Sequence, residues 1–311
     1  MKKYFKLIVF ISLLFFTRNG FGGGFQVNLQ GQKQTGMGHT GTGLLLDASS
    51  IVFNPGGLCL LDSFHRFSFG GNLIVPRTQY LEAYPGQYTS EIQNHIGTPF
   101  TFFAAFNKKA DDKWKVGLGV YTPFGSTVQW PDDWKGQFLI RQIELKTIFI
   151  QPTASYQLTE KIGFGIGFVF ATGGFSLRKA IPIQDSTGSY GEGRLNGDAS
   201  GSGVNLGLFY KVTQKFSVGI DFRSAVKIAV NNGKAEFDVA SSLKDSFPET
   251  RFTTRIILPR YITLGIGLTP NEKLKIAVDV NYATWSSYDT LAINFKTNTT
   301  ALQDIHSPRC Y

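Results

Sequence analysis

Apolar and polar positions alternate with a period of two through most of the chain after residue 64. In Ile162–Phe170, one face carries Ile162, Phe164, Ile166, Phe168 and Phe170, and the other carries Gly163, Gly165, Gly167 and Val169. The same repeat runs through Val116–Tyr121, Val204–Lys211, Phe216–Arg223, Ile262–Thr269 and Leu274–Asn281. Alternation at 180° per residue marks β-strands rather than helices. It predicts nine strands, near 64–75, 98–107, 114–123, 137–158, 162–178, 200–213, 216–231, 251–269 and 273–297.

The connections between these strands alternate in length. Asn107–Lys113, Thr159–Lys161, Thr213–Lys215 and Pro270–Lys273 are short, whereas 76–97, 124–136, 179–199 and 232–250 are long. Short turns at one rim and long loops at the other fit a transmembrane β-barrel better than a soluble sandwich. The phenylalanine-rich apolar faces point the same way. So do Asp221, Arg223, Lys275 and Asp279, which suit a wet interior. A secreted β-sandwich with a binding or adhesion role stays open, as does a general porin. An odd number of antiparallel strands cannot close. The pattern therefore implies a barrel incomplete at its C-terminal end, breaking off within the polar tail 296–311.

Composition narrows the class. Of 311 residues, 42% are hydrophobic and 17% charged, which excludes a disordered chain. The longest apolar run, Leu7–Phe16, is too short for a transmembrane helix of roughly 20 residues. Preceded by Lys2, Lys3 and Lys6 and followed by Gly20-Phe21-Gly22, it reads as a signal peptide over residues 1–22. Its removal takes four basic residues and lowers the net charge from +9 to +5. The remaining basic residues form no run, so no nucleic-acid partner is expected. Two cysteines, Cys59 and Cys310, make no disulfide framework, and neither is expected to be bridged. The four histidines are scattered and no nucleophile–base pair stands out, so no metal, cofactor or enzymatic activity is expected.

Residues 23–63 break the strand pattern with repeated glycines. Gly36–Gly41 matches GxGxxG, but polar Gln30–Thr35 precedes it instead of a hydrophobic strand, so it is not read as a nucleotide site. Asp47 reads as a helix cap and Asn54-Pro55-Gly56-Gly57 as a turn.

Gly24-Phe25-Gln26, Asp47-Ala48, Asn54-Pro55, Trp130–Gly136 and Tyr282–Tyr288 resemble the FadL-type outer-membrane transporters of long-chain fatty acids and aromatic hydrocarbons. The resemblance implies an all-β, antiparallel barrel of fourteen strands, about nine of them present here, with a small helical hatch over 23–63 inside a wall over 64–311. It further implies passive uptake: capture among loops, transfer to an apolar pocket in the lumen, hatch movement and sideways exit through the wall. Tyr80, Tyr84, Tyr88, Ile181 and Ile183 are candidates for the capture surface. Asn54, Pro55 and Gly56 are the hatch residues, either a gate or a plain turn. Gly56 stands where the family usually has alanine, so a less rigid plug is expected. Gly117, Gly119, Pro123 and Gly125 mark the strand expected to open laterally, although Gly117 and Gly119 could simply relieve crowding. A carboxylate in an apolar pocket needs a cation, and Arg178, Lys179 and Lys296 are candidates by position. The expected partners are a hydrophobic small-molecule ligand, outer-membrane lipid and lipopolysaccharide, and the barrel-assembly machinery. A monomer in the outer membrane of a Gram-negative type cell, exported by its signal peptide, completes the expectation.

Overall fold

A computed structural model of the chain describes residues 26–308 except 63, 64, 94, 108, 110, 111, 288 and 289. The expected signal peptide, Gly24, Phe25 and Cys310 lie outside the described residues.

Two short helices, α1 (Gln32–Gly36) and α2 (Ser50–Phe53), precede a 3₁₀ turn over Pro55–Leu60. The strands follow: β1 (His65–Gly71), β2 (Gln79–Leu81), β3 (Thr89–Glu91), β4 (Phe100–Phe106), β5 (Trp114–Tyr121), β6 (Gly125–Gln129), β7 (Gln142–Gln157) and β8 (Ile162–Gln184). Then come β9 (Tyr190–Lys211), β10 (Phe216–Arg223), β11 (Val226–Asp238), β12 (Thr250–Leu258), β13 (Tyr261–Asn271), β14 (Leu274–Ala283), β15 (Thr290–Phe295) and β16 (Ile305–Pro308). All strand pairs are antiparallel, and one large sheet runs β1-β4-β5-β7-β8-β9. It divides at β9. The half of β9 near the short turns pairs with β10, which leads to β13 and β14; the other half pairs with β11, which leads to β12, β15 and β16. We call these halves the lower and upper tiers. Among the described residues β1 pairs with β4 alone and β14 with β13 alone, so this sheet does not close on itself.

The stretches expected as long loops are partly strand. Residues 179–199 are mostly the end of β8 and the start of β9, joined at Asp185–Ser189, and 124–136 and 232–250 contribute β6 and the end of β11. The stretch 76–97 holds the β2–β3 hairpin. Their alternation lacks the phenylalanine–glycine contrast; in β9 it is Arg194, Asn196 and Asp198 against Leu195, Gly197 and Ala199. Two expected strands are interrupted. β10 and β11 separate at Ser224-Ala225, and β12 and β13 at Pro259-Arg260. At each break the phase reverses: residues 217, 219, 221 and 223 share a face with 226, 228 and 230, and residues 252, 254, 256 and 258 with 261, 263, 265 and 267. An extra residue in a period-two element sends every later side chain to the opposite face. Ser224 bridges the first break, exchanging hydrogen bonds with the backbone of Val204 at 2.9 Å. Pro259 has no N–H for the ladder at the second.

One face of the lower tier is exposed and apolar: Phe69 is 82% exposed, Phe168 53%, Leu264 54% and Val280 64%. A sandwich would bury these side chains against a second sheet, and no described residue covers them. On β8 the apolar stretch of this face runs from Ile162 to Phe170 and is followed by Thr172, Ser176 and Arg178. On β7 the change falls between Lys146 and Ile148, and on β9 between Ser202 and Val204. The pairs Ile148↔Thr172 and Phe170↔Ser202 bring the three changes to one level. A membrane-crossing strand needs about 9–11 residues. β8 and β9 have 23 and 22, so both continue well past the apolar band.

Candidate functional site

The N-terminal segment seats on the opposite face of the lower tier, and the seat is made of glycine. A Cβ added to Gly56 would lie 2.5 Å from the Gly207 carbonyl oxygen and 2.7 Å from that of Gly163. One on Gly165 would lie 2.3 Å from the Pro55 carbonyl, one on Gly219 would strike the Thr42 carbonyl, and one on Gly265 would meet the Gly43 nitrogen. Segment and wall therefore touch backbone to backbone, which only glycine permits. This corrects the expectation of a looser plug at Gly56. That residue is pressed between two strands, so its small size serves close approach and not freedom.

Side chains of both the segment and the wall then tie the two together through backbone groups. Asn54, fully buried, donates from Nδ2 to the carbonyls of Thr42 (2.9 Å) and Leu208 (3.0 Å) and accepts at Oδ1 from the Gly56 N–H (3.0 Å). Gln151 donates to the Ile51 carbonyl at 2.7 Å and to Asn205 Oδ1 at 3.1 Å, and accepts from the Tyr121 hydroxyl at 2.6 Å. Asn205 donates in turn to Asp221 at 2.7 Å. Arg223 reaches the Val52 carbonyl at 2.7 Å, and Asp279 accepts from the N–H groups of Gly41 (2.9 Å) and Thr42 (3.0 Å). Lys115 donates to the Leu61 carbonyl at 2.6 Å. Asp221, Arg223 and Asp279 thus face a protein segment, not the wet interior that their mid-strand positions suggested. Gln151 and Asn205 carried no distinguishing signal except a polar residue at the height of the wall glycines. Asp47 caps indirectly: its carboxylate accepts from the Ser49 N–H at 3.0 Å and from the Gln34 amide at 3.3 Å. Burial, then the nearby Arg223 charge, lowers the pKa of His39 in this segment to about 4.

Above the segment the covered face becomes aliphatic and aromatic. Along β8 it passes from Gly163, Gly165 and Gly167 to Val169, Ala171, Phe175 and Leu177. These join Phe149 of β7, Leu195 of β9, Ile228 and Val230 of β11, Phe252 and Ile256 of β12, and Ile293 and Phe295 of β15 in one buried apolar cluster. Ile51, Val52 and Phe53 of α2 form its floor. The upper tier is therefore polar outside and apolar inside, the reverse of the lower tier.

The residues expected to open the wall separate into two pairs. Gly117 and Gly119 face the Ile51 side chain, with an added Cβ falling 2.7 Å and 3.1 Å from it, so both belong to the seat. Pro123 and Gly125 lie at the break between β5 and β6. There the Val27 N–H donates to the Pro123 carbonyl at 2.8 Å, and β6 pairs with β7 alone among the described strands. The expected carboxylate-binding cations also separate. Arg178 is occupied by Glu192 at 2.8 Å and, with Arg141 and Arg194, surrounds that one carboxylate. Lys296 is exposed, next in sequence to the buried Phe295 and on the opposite face. Neither faces the apolar interior, because each has the odd–even phase of the outer face. Lys179 has the phase of Leu177 and is half-buried at the top of the interior. Of the capture candidates, Tyr84 is exposed (97%), Tyr80 and Tyr88 pack with Trp134 and Lys135, and Ile181 is buried. Cys59 is a buried free thiol. A cavity of about 380 Å³ opens at the lower end, between Leu44–Leu46, Leu60 and the turn Thr213–Lys215.

An antiparallel wall with an apolar outer band, a glycine seat for its own N-terminal segment and an apolar interior above it defines a β-sheet membrane protein of the transport class. The family model described as outer membrane protein transport protein (OMPP1/FadL/TodX) matches residues 13–310, and the chain belongs to that family. Outer membrane protein P1 of Haemophilus influenzae is 21% identical over 345 residues, covering 95% of this chain and 73% of that protein. The long-chain fatty acid transport protein of Escherichia coli O6:H1 is 25% identical over 228 residues, covering 66% of this chain and 51% of that protein. Among solved structures, a Pseudomonas aeruginosa FadL homologue superposes with a TM-score of 0.72 at 16% identity, covering 93% of this chain and 75% of that one. The Ralstonia pickettii toluene transporter TbuX gives 0.69 at 18% identity, covering 91% and 80%. The fold is that of the FadL/TodX barrels, and family membership places the protein in the outer membrane.

Proposed function

We propose that the protein is a passive outer-membrane channel for hydrophobic compounds, long-chain fatty acids or aromatic hydrocarbons. The reversal of polarity along β8 and β9 carries the reading. A wall whose inner face turns from glycine to aliphatic and aromatic residues above the segment offers an oily compartment where a solute arriving from outside would need one. In this reading residues 1–22 are the export signal, residues 23–63 the hatch, and residues 64–311 belong to the barrel, whose full count is fourteen strands. The Asn54-Pro55-Gly56 finger is the gate, since its hydrogen bonds hold the floor of the apolar compartment. The β5–β6 break at Pro123 and Gly125 is the sideways exit, because a strand interrupted there leaves one edge of β6 without a sheet partner among the described residues. Lys179 is the cation best placed for a ligand carboxylate. Uptake of labelled oleate and labelled toluene by cells with and without the full-length protein tests the reading. Faster uptake of at least one is expected. Unchanged uptake of both, with the protein shown in the outer membrane by heat-dependent gel mobility, would sink it.

A further inference from the structure

Outward-facing cations gather on one sector of the wall directly above the apolar band. Arg260 is exposed two residues before Ile262, the top apolar residue of the outer face of β13. Lys227 and Arg255 come next on β11 and β12. The pairs Lys227↔Ile257 and Ala229↔Arg255 make these two diagonal neighbours, near enough for both long side chains to reach one group. Higher up, Lys234 pairs directly with Arg251, and the Lys296 N–H donates to the Arg251 carbonyl at 2.8 Å. Three cations thus stand side by side across β11, β12 and the end of β15, all exposed. Like charges directly opposite on a sheet repel. The carboxylates of this sector are Asp198, Asp238, Glu249, Glu236, which holds Lys234, and Asp304, which accepts from the Phe295 N–H at 2.9 Å. No described carboxylate lies within salt-bridge reach of Lys227, Arg251, Arg255, Arg260 or Lys296. The contrast with the same outer face of β8 and β9 is sharp, because there Glu192 answers Arg141, Arg178 and Arg194.

We propose that Lys227, Arg251, Arg255, Arg260 and Lys296 form a binding site for the phosphate groups of a phosphorylated glycolipid of the outer leaflet. The proposal rests on the membrane orientation read above: acyl chains lie along the apolar band, and headgroup phosphates fall at the level where that band ends. Charge-assisted bonds from lysine and arginine to phosphate are strong, and cations gathered just beyond a membrane-buried segment are drawn to anionic lipid. The two rows are four residues apart on β12, about 13 Å along the strand. The lower row therefore meets phosphates at the acyl boundary and the upper row meets those carried further out on the sugars.

The test uses the refolded full-length chain in detergent, with diphosphoryl lipid A and its enzymatically dephosphorylated form as probes and co-elution on size exclusion as the readout. The unmodified protein is expected to retain the phosphorylated form at least tenfold better. The variant K227A/R251A/R255A is expected to lose that preference, while K161A/K215A, which removes exposed cations from the opposite rim, keeps it. R251K/R255K retains the charge and is expected to keep most of the retention. Equal retention of the two lipids by the unmodified protein overturns the proposal whatever the variants do, and so does full retention by the triple variant. Heat-dependent gel mobility reports folding separately, so failure of a variant to fold is told apart from failure of the site.

Discussion

The two tiers use the same strands with opposite polarity. In the lower tier, phenylalanine and isoleucine face out and glycine faces a packed protein segment. In the upper tier, serine, asparagine, lysine and arginine face out, and valine, leucine and phenylalanine face in. What surrounds each tier explains the exchange. Hydrocarbon rewards an apolar exterior and punishes unpaired polar groups, whereas water above the band does the reverse. The breaks at Ser224-Ala225 and Pro259-Arg260 fall where the solvent changes, and each turns a strand over so that its apolar side chains change face. One sheet serves two environments in two ways: β8 and β9 run through unbroken and exchange apolar and polar positions, whereas β10–β11 and β12–β13 keep the apolar positions and reset the phase.

The largest effect should come from breaking the seat. Gly163→Leu drives a side chain into the Gly56 backbone and should destabilise the protein by about 3 kcal/mol, the upper end for overpacking. Urea unfolding in lipid vesicles measures this, with faster proteolysis of residues 26–62 as the accompanying sign that the plug has left. Next comes a direct comparison of the tiers. Phe168→Arg places a charge on the lipid-facing band, between its centre at Ile166 and its upper end, and should cost about 2 kcal/mol, the low end of the midplane range. Ser176→Arg, on the same face of the same strand above the band, should change stability by no more than about 0.5 kcal/mol. Equal costs at the two positions would refute the boundary drawn between Phe170 and Thr172.

Gln151→Leu should have a smaller effect. It strands the Ile51 carbonyl, the Tyr121 hydroxyl and Asn205, and a loss of about 1–3 kcal/mol is expected from the same unfolding measurement. At neutral pH the smallest effect concerns His39. Its pKa in the folded protein, about 4, lies below the ordinary 6.5, so the unfolded chain binds more protons between those values. The stability contributed by neutral His39 is therefore complete above pH 6.5 and is lost as the pH falls through about 4. Comparing the pH dependence of unfolding for the protein and His39→Gln isolates it, and matching profiles would remove His39 from the account.

Much of the lower tier was legible in the order of residues. A period of two with phenylalanine on one face and glycine on the other can be read locally, because each strand repeats its own contrast. Burial bears out that Ile162–Phe170 and Ile262–Leu268 face outward. Asn54-Pro55 in the N-terminal segment could be found for the same reason, as a turn with few local alternatives. The upper tier was less legible. Residues 179–199 looked like a loop because small and aliphatic residues facing polar ones give a weak contrast.

The amino-acid sequence by itself determined strand periodicity, the glycine positions and the short turns at one rim, all properties of neighbouring residues, while the transporter class came from the resemblance of its motifs to a known family. Only the tertiary structure decided that Arg178 answers Glu192 instead of facing the apolar interior, that Gly56 is clamped, that Asp279 holds the N-terminal segment, and that Asp221 is buried with Asn205 and Arg223. It also decided that six cations distant in sequence share one outer sector. Each of these depends on which strand lies beside which, and the cation sector depends also on the phase reset at the two breaks. A single inserted residue sets that phase, and its consequence appears only across the sheet.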